Sequence, residues 1–507
     1  MLQNNLQLNP SQKIITLILV IIVIGGIMFR LIFSHFELPL NSDNLQYFWY
    51  AIDHSLGETE NSFRIHNNGW PMFVSIFFSA FNSENFLDFM ALQKILSIIV
   101  SSLTAIPIYF LGKKFFSKEL ALLGSLLFVF EPRIVQNSTF GISDPLYILG
   151  LTIAIVFVVY SRKNLELLSF AILSLTIGIR SEGLFLIPAF IIVYLWQKKI
   201  TKESIIKILI SIIILVLILS AITFYKSFEN ESLFSRIDSG VVEIYSSPET
   251  NLAGGPLNLL IDGVLNFVKF LGWSQFPVWM FFVPIGFISL LIAKNQKTGI
   301  ILTLLFFISL PTLYAFSFAD DTRYLFPLYP IFSILALFFI NKISTNQRKF
   351  VIIQICIVIG LISSSSIFLI WKDIDVEDEV SIFNLIKEIS DKEKVVNHFG
   401  YETSYIIPVA LEQTKKFPVT SNEIKNESMK VVSISRVNSF EEFMKKGIDS
   451  GLTHLVIKEK NQQIFLDDVF INENNYPFLS KEYDSVNSNY IPLKIFKINY
   501  ELYNVDE

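Results

Sequence analysis

Residues 165–196 read LELLSFAILSLTIGIRSEGLFLIPAFIIVYLW, an apolar run that the polar sequence RSEG interrupts at 180–183. A helix needs about 20 apolar residues to cross the hydrocarbon core of a bilayer, so this run is too long for one span. Basic pairs flank the run at 162–163 and 198–199. Because cytoplasmic loops retain Lys and Arg, both ends are expected in the cytoplasm. We therefore predict a hairpin of two spans whose tip holds Arg180 and Glu182 at the outer face.

The composition of the whole chain also indicates a membrane protein. Of its 507 residues, 52% are hydrophobic and 17% are charged, whereas soluble domains average about 25% charged residues. The net charge of -5 argues against a nucleic-acid partner. The single cysteine, Cys356, excludes an intramolecular disulfide and a cysteine-rich zinc site. The sequence also has no Walker A, HExxH, GxSxG or protein-kinase motif.

About eleven apolar stretches are candidate transmembrane helices. They lie near 14–33, 90–111, 119–133, 145–160, 165–179, 183–196, 205–225, 277–293, 299–318, 323–341 and 350–370. Lysines and arginines collect in alternate short loops, and acidic residues collect in the loops between them. This alternation predicts a multi-pass cell membrane protein with a cytoplasmic N-terminus and an acidic outer face. An odd number of spans then places the C-terminus outside.

The composition changes abruptly after Trp371, where an acidic stretch begins. We expect a transmembrane domain over 1–370 and an extracellular α/β domain over 371–507. In the second domain the pattern predicts helices at 380–390 and 440–450. Strands are predicted at 395–399, 430–434, 454–457 and 493–498. The fold class is therefore a polytopic α-helical membrane protein with a small C-terminal α/β soluble domain.

Ionisable residues at the outer boundary are the candidates for chemistry, because charges at that depth are costly. Asp43 precedes an aromatic stretch, LQYFWY at 45–50, that reads as an interfacial helix. It is either a helix N-cap or a general base. Asp144 precedes Pro145 and either begins a helix or binds an acceptor or a metal.

Two arginines stand beside acidic residues in the same region. Arg180 and Glu182 either pair with each other at the hairpin tip or contact a substrate. Arg323 follows Asp320 and Asp321 and precedes Tyr324. It could bind a phosphate through its planar guanidinium. In the alternative interpretation, Asp320 caps the helix and Arg323 marks the membrane interface.

Three histidines, His35, His54 and His66, fall in the first outer loop. With Asp43 or Asp144 they could ligate a divalent metal ion. Their spacing matches no known ligand pattern, so solvated histidines are favoured and a metal remains an open alternative. The sequence Asp-Ile-Asp at 373–375 is interpreted as part of a charged linker.

The order of these features resembles the membrane glycosyltransferases of the GT-C fold, in the branch of the dolichyl-phosphate-mannose-protein mannosyltransferases and aminoarabinose transferases. The matching motifs are Asp43 before its aromatic helix, NGWPMF at 68–73, EP at 131–132 with SDPL at 143–146, and RYLFP at 323–327. The resemblance extends from about residue 14 to residue 370. The resemblance rests on the order of the motifs, because each motif alone is degenerate.

The resemblance implies an inverting transfer of a sugar from a polyprenyl-phosphate donor to a glycan, lipid or protein acceptor at the outer face. Asp43 matches the acidic residue that serves as general base. Arg180 and Arg323 would bind the phosphate, and Asp144 and Glu182 would orient the sugar or the acceptor. Tyr324 and His66 complete the predicted substrate-binding set.

Two departures from the family pattern narrow the acceptors and the transferred groups that the resemblance implies. Asn44 stands where the protein-mannosylating members usually have a second acidic residue, which puts a protein acceptor in doubt. The oligosaccharyltransferase signature WWDYG is absent after Trp371, which disfavours transfer of a whole oligosaccharide.

Two other classes of protein fit the same composition. The first is a polytopic transporter or flippase, although such proteins usually place ionisable residues near the membrane midplane in two related halves. The second is a membrane scaffold that presents the tail domain. The enzyme hypothesis requires the candidate residues to converge on one cavity. The short basic loops and small tail favour a prokaryotic, archaeal cell membrane.

Overall fold

The fold was analysed in a computed structural model of the chain. It describes residues 10–40, 42–58, 68–161, 164–228, 255–293, 296–317, 321–343, 347–393, 417–421, 439–450, 452–459, 464–484 and 492–503. The chain divides into two compact units. The helical unit comprises Met1–Ser34, Arg64–Val74 and Leu92–Trp371, and the tail unit comprises His35–Phe63, Ser75–Ala91 and Lys372–Glu507.

The described part of the chain is mostly helical. In order, the helices up to residue 228 are α1 (Pro10–Ile32), α2 (Ser42–Ser55), α3 (Gly69–Phe78), α4 (Phe86–Leu103), α5 (Ala105–Phe115), α6 (Lys118–Val129), α7 (Pro132–Thr139), α8 (Asp144–Tyr160), α9 (Leu165–Ile179), α10 (Ile187–Lys198) and α11 (Lys202–Phe228). They continue with α12 (Gly255–Ser274), α13 (Phe282–Ala293), α14 (Gln296–Ala315), α15 (Tyr329–Ile343) and α16 (Gln347–Glu393). Two 3₁₀ turns, Ser181–Leu186 and Thr322–Leu328, precede α10 and α15.

Six described segments are long and apolar enough to cross a membrane. They are Gln12–Ile32, Phe86–Phe115, Lys202–Lys226, Gln296–Ala315, Thr322–Ile343 and Val351–Asp373. Four further apolar helices are shorter: Gly69–Phe78, Asp144–Tyr160, Leu165–Ile179 and Phe282–Ala293. The predicted class, a polytopic helical membrane protein, is confirmed. The orientation of the termini stays a prediction.

The predicted break in the run 165–196 is present. Helix α9 ends at Ile179, Arg180 is extended with φ -146° and ψ 123°, and a 3₁₀ turn leads into α10. Pro188 occupies the first turn of α10, where a missing N–H costs nothing. The rings of Phe170 and Phe190 meet edge to face with centroids 6.0 Å apart, so the two helices touch. The break therefore holds Arg180 between two packed helices.

The tail unit contains a three-stranded antiparallel sheet. Its strands are β1 (His454–Lys458), β2 (Leu479–Asp484) and β3 (Leu493–Ile498), in the order β1-β3-β2. Helices α17 (Phe440–Ser450), α18 (Ile464–Ile471) and α19 (Tyr500–Tyr503) accompany it, with a 3₁₀ turn at Glu473–Asn475. The predicted strands β1 and β3 and the helix α17 are confirmed, whereas β2 and α18 were not predicted. The strands predicted at 395–399 and 430–434 lie outside the described residues.

The acidic stretch after Trp371 is helical and includes the helix predicted at 380–390. Its interpretation as a charged linker stays a prediction. Helix α16 continues without interruption from Gln347 to Glu393. The physical reason is that residues 371–393 contain no Gly or Pro and are rich in Glu, Lys and Ile, most of which cost a helix little. The assignment of 1–370 and 371–507 as two domains stays a prediction.

Candidate functional site

Arg180 lies at the centre of a cluster of charged side chains in the helical unit. Its Nη1 donates to Oδ1 of Asp144, and its Nη2 donates to Oε1 of Glu182 at 2.9 Å. Asp144 is buried and Arg180 nearly so, with side-chain exposures of 2% and 10%. A buried ion pair is costly to break, because removing one partner leaves an unpaired charge away from water. One guanidinium between two carboxylates gives the cluster a formal charge of -1.

Two tyrosine rings flank the same guanidinium. The ring centroids of Tyr147 and Tyr324 lie 5.7 and 5.8 Å from Cζ of Arg180, within the range of cation–π attraction. Tyr147 is one helical turn after Asp144, so α8 supplies both a carboxylate and a ring to one face. Beside them lies a small, partly open pocket with a cavity volume of about 20 Å³. It is lined by Tyr147, Arg180, Glu182, Leu186, Ile308, Pro311, Thr312, Tyr324 and Pro327.

Asp144 is the first residue of α8, and its carboxylate does more than cap the helix. The N-cap residue is Ser143, whose side chain makes no capping hydrogen bond. The Asp144 carboxylate instead binds Arg180, which lies 36 positions later in the chain. Of the alternatives left open by the sequence, capping alone therefore does not describe this residue.

A buried scaffold fixes the loop that carries Asp144. The carbonyl of Gly141 accepts hydrogen bonds from Trp70 Nε1 at 2.9 Å and from Gln93 Nε2 at 2.7 Å. Gly141 has φ +70°, a left-handed conformation that glycine adopts at little cost. Trp70 and Gln93 are both fully buried. Two donors on one carbonyl hold the turn three residues before the carboxylate.

The motif NGWPMF at 68–73 also supports the segment that carries Arg180. A Cβ placed on Gly69 would lie 2.7 Å from the carbonyl oxygen of Gly178 and 2.7 Å from Cα of Ile179. Those are backbone atoms, so no side chain can move aside to make room. Glycine at 69 thus allows α3 to approach the end of α9 immediately before Arg180. The motif at 68–73 therefore supports both the loop before Asp144 and the segment before Arg180.

Arg323 pairs with Asp321 at the start of the 3₁₀ turn Thr322–Leu328. Its Nε donates to Asp321 Oδ2 at 2.5 Å, and its backbone N–H donates to Oδ1 at 2.9 Å. Asp321 is the N-cap of the 3₁₀ turn, whereas Asp320, the predicted cap, lies outside the described residues. Side-chain exposures of 36% and 35% leave both groups accessible. Thr312 Oγ1 donates to the carbonyl of Tyr324 at 2.9 Å and ties this turn to α14.

Asp43 lies in the tail unit, in the first turn of α2, and its side chain is exposed. Of the aromatic residues that follow it, Phe48, Trp49 and Tyr50 are buried and Tyr47 is half-buried. The position of this helix at a membrane interface stays a prediction. Phe48 packs against Phe78, and it stacks on Phe417 with ring centroids 6.2 Å apart. Aromatic rings bury large areas, so they pack inside whenever other rings are available to cover them.

A buried aspartate connects α2 to a later segment of the same unit. Asp53 is 1% exposed. It accepts hydrogen bonds from the backbone N–H of Ser421, at 2.7 Å, and from the Ser421 hydroxyl. Together with the stacking of Phe48 on Phe417, these bonds dock residues 417–421 on the helix that carries Asp43.

The histidines do not form a metal site in the part of the chain that the structure describes. No group of three or more His, Cys, Asp or Glu side chains within the described ranges could hold a metal ion. His35 binds Glu37 and Asp373 at 3.1 and 2.6 Å, and His54 contacts the ring of Tyr50. Burial lowers the pKa of His35, but hydrogen bonds and charges from Asp373 and Glu37 outweigh it and raise the pKa overall. His66 lies outside the described residues.

Sequence reasoning selected Asp144, Arg180, Glu182 and Tyr324, and the structure places the other three around the guanidinium of Arg180. Their roles in a functional site stay predictions. It did not identify Tyr147, Trp70 or Gln93. The spacing of three residues between Asp144 and Tyr147 was the available signal. No local pattern marked Trp70 and Gln93 as the donors to Gly141, since those contacts join distant parts of the chain.

Comparison with known proteins identifies the fold. The profile of a family described as "Predicted membrane protein (DUF2079)" matches residues 74–396. No curated protein sequence matches the chain significantly. ArnT from Cupriavidus metallidurans, bound to undecaprenyl phosphate, superposes with a TM-score of 0.57 at 11% identity, covering 94% of this chain and 97% of that one.

Two structures of an archaeal enzyme are also similar. The Archaeoglobus fulgidus oligosaccharyltransferase, in complex with Zn and sulfate, gives a TM-score of 0.53 at 12% identity over 95% of this chain and 73% of that one. AglB from the same organism, in complex with an inhibitory peptide and a dolichol-phosphate, gives 0.50 at 10% identity over 87% and 69%. At these identities the likeness establishes the fold, and the resemblance to GT-C membrane proteins is confirmed at that level.

Proposed function

The chain belongs to the predicted membrane protein family DUF2079 and has a GT-C fold, and from these premises we propose that it is an inverting glycosyltransferase. It moves a sugar from a polyprenyl-phosphate donor to a glycan, lipid or protein acceptor at the outer face of a cell membrane. The proteins of similar structure include complexes with undecaprenyl phosphate and with dolichol-phosphate. A lipid-linked donor is therefore the first substrate class to test.

The observation that supports this proposal most is the convergence on Arg180. Asp144, Arg180 and Tyr324 come from three separate segments of the chain and meet at one guanidinium. Arg180, Glu182 and Tyr324 line the pocket beside it. Burying a charged cluster is costly, and side chains packed for stability alone would be cheaper if apolar. A scaffold that only presents the tail domain would not require this convergence.

The charges around Arg180 and Arg323 favour different roles for the two arginines. Arg180 already binds two carboxylates, so a phosphate at Arg180 would meet a cluster of net negative charge. We assign Arg180 to holding Asp144 and Glu182 toward hydroxyl groups of the sugar or the acceptor. Arg323 pairs with Asp321, and both side chains are about one-third exposed, so we assign the donor phosphate to Arg323, where it would exchange with the Asp321 carboxylate.

Asp43 is assigned as the general base. In an inverting transfer the acceptor oxygen attacks the anomeric carbon, the bond from that carbon to the lipid phosphate breaks, and the phosphate leaves with the bonding electrons. The base removes the proton of the acceptor hydroxyl. The lipid phosphate is already a good leaving group and needs cations rather than a second acid. The exposed position of Asp43 at the start of α2 leaves its carboxylate accessible to an acceptor.

The test is donor consumption by the purified full chain in lipid, using a panel of labelled polyprenyl-phosphate hexoses and pentoses. We expect label loss by the wild type and a loss of at least a hundredfold in rate for Asp43→Asn, the low end of a general base's contribution. Asp88→Asn, which neutralises another exposed aspartate of the tail unit, serves as the control and should match the wild type. If no donor is consumed, or Asp43→Asn remains folded and fully active, the proposal fails and transport assays follow.

A further inference from the structure

A groove runs between α1 and α5 in the helical unit, away from the Arg180 cluster. Its walls are mostly apolar and include Leu19, Val23 and Ile106, and the groove has a volume of about 540 Å³. Gln12, Lys113 and Lys118 complete the lining. The proposed function makes no use of this feature.

The polar residues share one end of the groove. Helices α5 and α6 run antiparallel, because Ser125 near the end of α6 donates to the carbonyl of Ala105 at the start of α5. The end of α5, with Lys113, therefore lies beside the start of α6, with Lys118. Gly26 lies against Val129 at the end of α6, so α1 runs parallel to α6 and brings Gln12 to the lysine end. The groove thus has an apolar length and a cationic end.

This cationic end lies far from the candidate active site. Tyr160, the last residue of α8, donates its hydroxyl to the carbonyl of Phe110, and Lys114 lies 5.2 Å from the centre of its ring. Asp144 is the first residue of the same helix of 17 residues. At about 1.5 Å per residue, α8 separates the lysine end from Asp144 by roughly 24 Å, which approaches the thickness of the hydrocarbon core.

We propose that this groove binds a membrane phospholipid with an anionic headgroup. One hydrocarbon chain lies along the apolar walls, and the headgroup phosphate lies between Lys113 and Lys118. Each lysine near a membrane surface contributes attraction to an anionic lipid. Lys297, whose Nζ donates to the carbonyl of Phe115 at 3.0 Å, adds positive charge at the same end of α5.

The surroundings favour a lipid over a protein as the occupant. Only 22% of the apolar window of α1 is buried, and side chains such as Leu17 and Ile21 are exposed at 60% and 58%. A helix of that composition contacts hydrocarbon on its outer face. The groove is continuous with this face, so among the described residues no segment stands between the groove and the surrounding hydrocarbon. The only acidic neighbour in the sequence next to Lys118 is the exposed Glu119.

The experiment is native mass spectrometry of the full chain, purified in detergent containing equal amounts of phosphatidylglycerol and phosphatidylcholine. We expect the wild type to retain phosphatidylglycerol preferentially. The double variant Lys113→Gln/Lys118→Gln should bind it roughly tenfold more weakly, somewhat less than two fully engaged surface lysines would give, because Lys113 is exposed. The control Lys198→Gln/Lys202→Gln removes two exposed lysines elsewhere and should match the wild type.

A second variant tests the apolar part of the groove. Ile106→Trp places a large side chain on the wall and should reduce retention of both lipids, whatever their charge. Equal retention by the wild type and the double lysine variant would overturn the proposal, as would full retention by Ile106→Trp. A lipid-free dimer in place of a lipid-bound monomer would also overturn it, because a second copy would then be the occupant. None of these outcomes depends on glycosyltransferase activity.

Discussion

The charged cluster can be tested by a double-mutant cycle on Arg180 and Asp144. Arg180→Gln removes the guanidinium and leaves the carboxylates of Asp144 and Glu182 without their cation. Asp144→Asn keeps the shape of the side chain and removes one charge. The two changes are not equivalent, because Glu182 still pairs with the arginine after the second change.

The contacts of Arg180 and Asp144 give an expected loss in the free energy of unfolding for each substitution. Breaking a buried ion pair by removing one partner costs about 3–5 kcal/mol, and Arg180→Gln is of this kind. Asp144→Asn removes one negative charge and leaves a weaker hydrogen bond from the guanidinium to an amide oxygen, which costs about 1.5–3 kcal/mol. In the double variant Arg180→Gln/Asp144→Asn, only Glu182 keeps an unpaired charge. We therefore expect the double variant to lose about 1.5–3 kcal/mol less than the sum of the single changes.

The measurement is reversible unfolding by sodium dodecyl sulfate in mixed micelles, which yields free energies of unfolding for the wild type, both single variants and the double variant. Asp262→Asn, at an exposed position of α12, is the control and should change the free energy by less than about 0.5 kcal/mol. Additive losses in the double variant, or a larger loss for Asp144→Asn than for Arg180→Gln, would refute the ion pair as the organising contact.

Three further changes test other contacts. Trp70→Phe removes the indole N–H that donates to Gly141 and leaves a cavity beside the smaller ring, so we expect a loss of more than about 1 kcal/mol in stability and slower donor consumption in the assay above. The raised pKa of His35 means that its charged form is stabilised by its carboxylate partners, so this stability is present below about pH 6.5 and is lost as pH rises through the folded pKa. His35→Gln should flatten the fall in stability between pH 6 and 8 that the wild type shows. Asp53→Asn should weaken the docking of 417–421 and speed hydrogen exchange at the amide of Ser421 by about tenfold or more.

Each of these changes has a matched control. Trp196→Phe alters a half-exposed tryptophan and should leave donor consumption unchanged. His54→Gln should preserve the pH dependence that His35→Gln removes. Asp88→Asn breaks an exposed serine contact and should leave exchange at residue 421 unchanged. A control that behaves like its partner variant would show that the effect does not come from the named contact.

The transmembrane character and the break at residue 180 followed from the sequence because both are local properties. Apolar length determines whether a helix can cross a bilayer, and a charged sequence such as RSEG interrupts it wherever it occurs. The helix start at Asp144 likewise follows from the proline that comes directly after it. The start of α10 at Ile187 was predicted four residues too early. Other local patterns allow two outcomes. The acidic stretch after Trp371 is typical of a charged linker, and its residues also form helices readily.

The sequence by itself determined that this chain is a multi-helix membrane protein, and it indicated which ionisable residues deserve a role. Only the tertiary structure decided that Asp144 pairs with Arg180, that Tyr147 and Tyr324 flank the guanidinium, and that Trp70 holds the loop before Asp144. Those contacts join residues separated by tens of positions or more. They depend on how α8, α9 and the turn before α15 pack against one another, and no local pattern of hydrophobicity or charge encodes that packing.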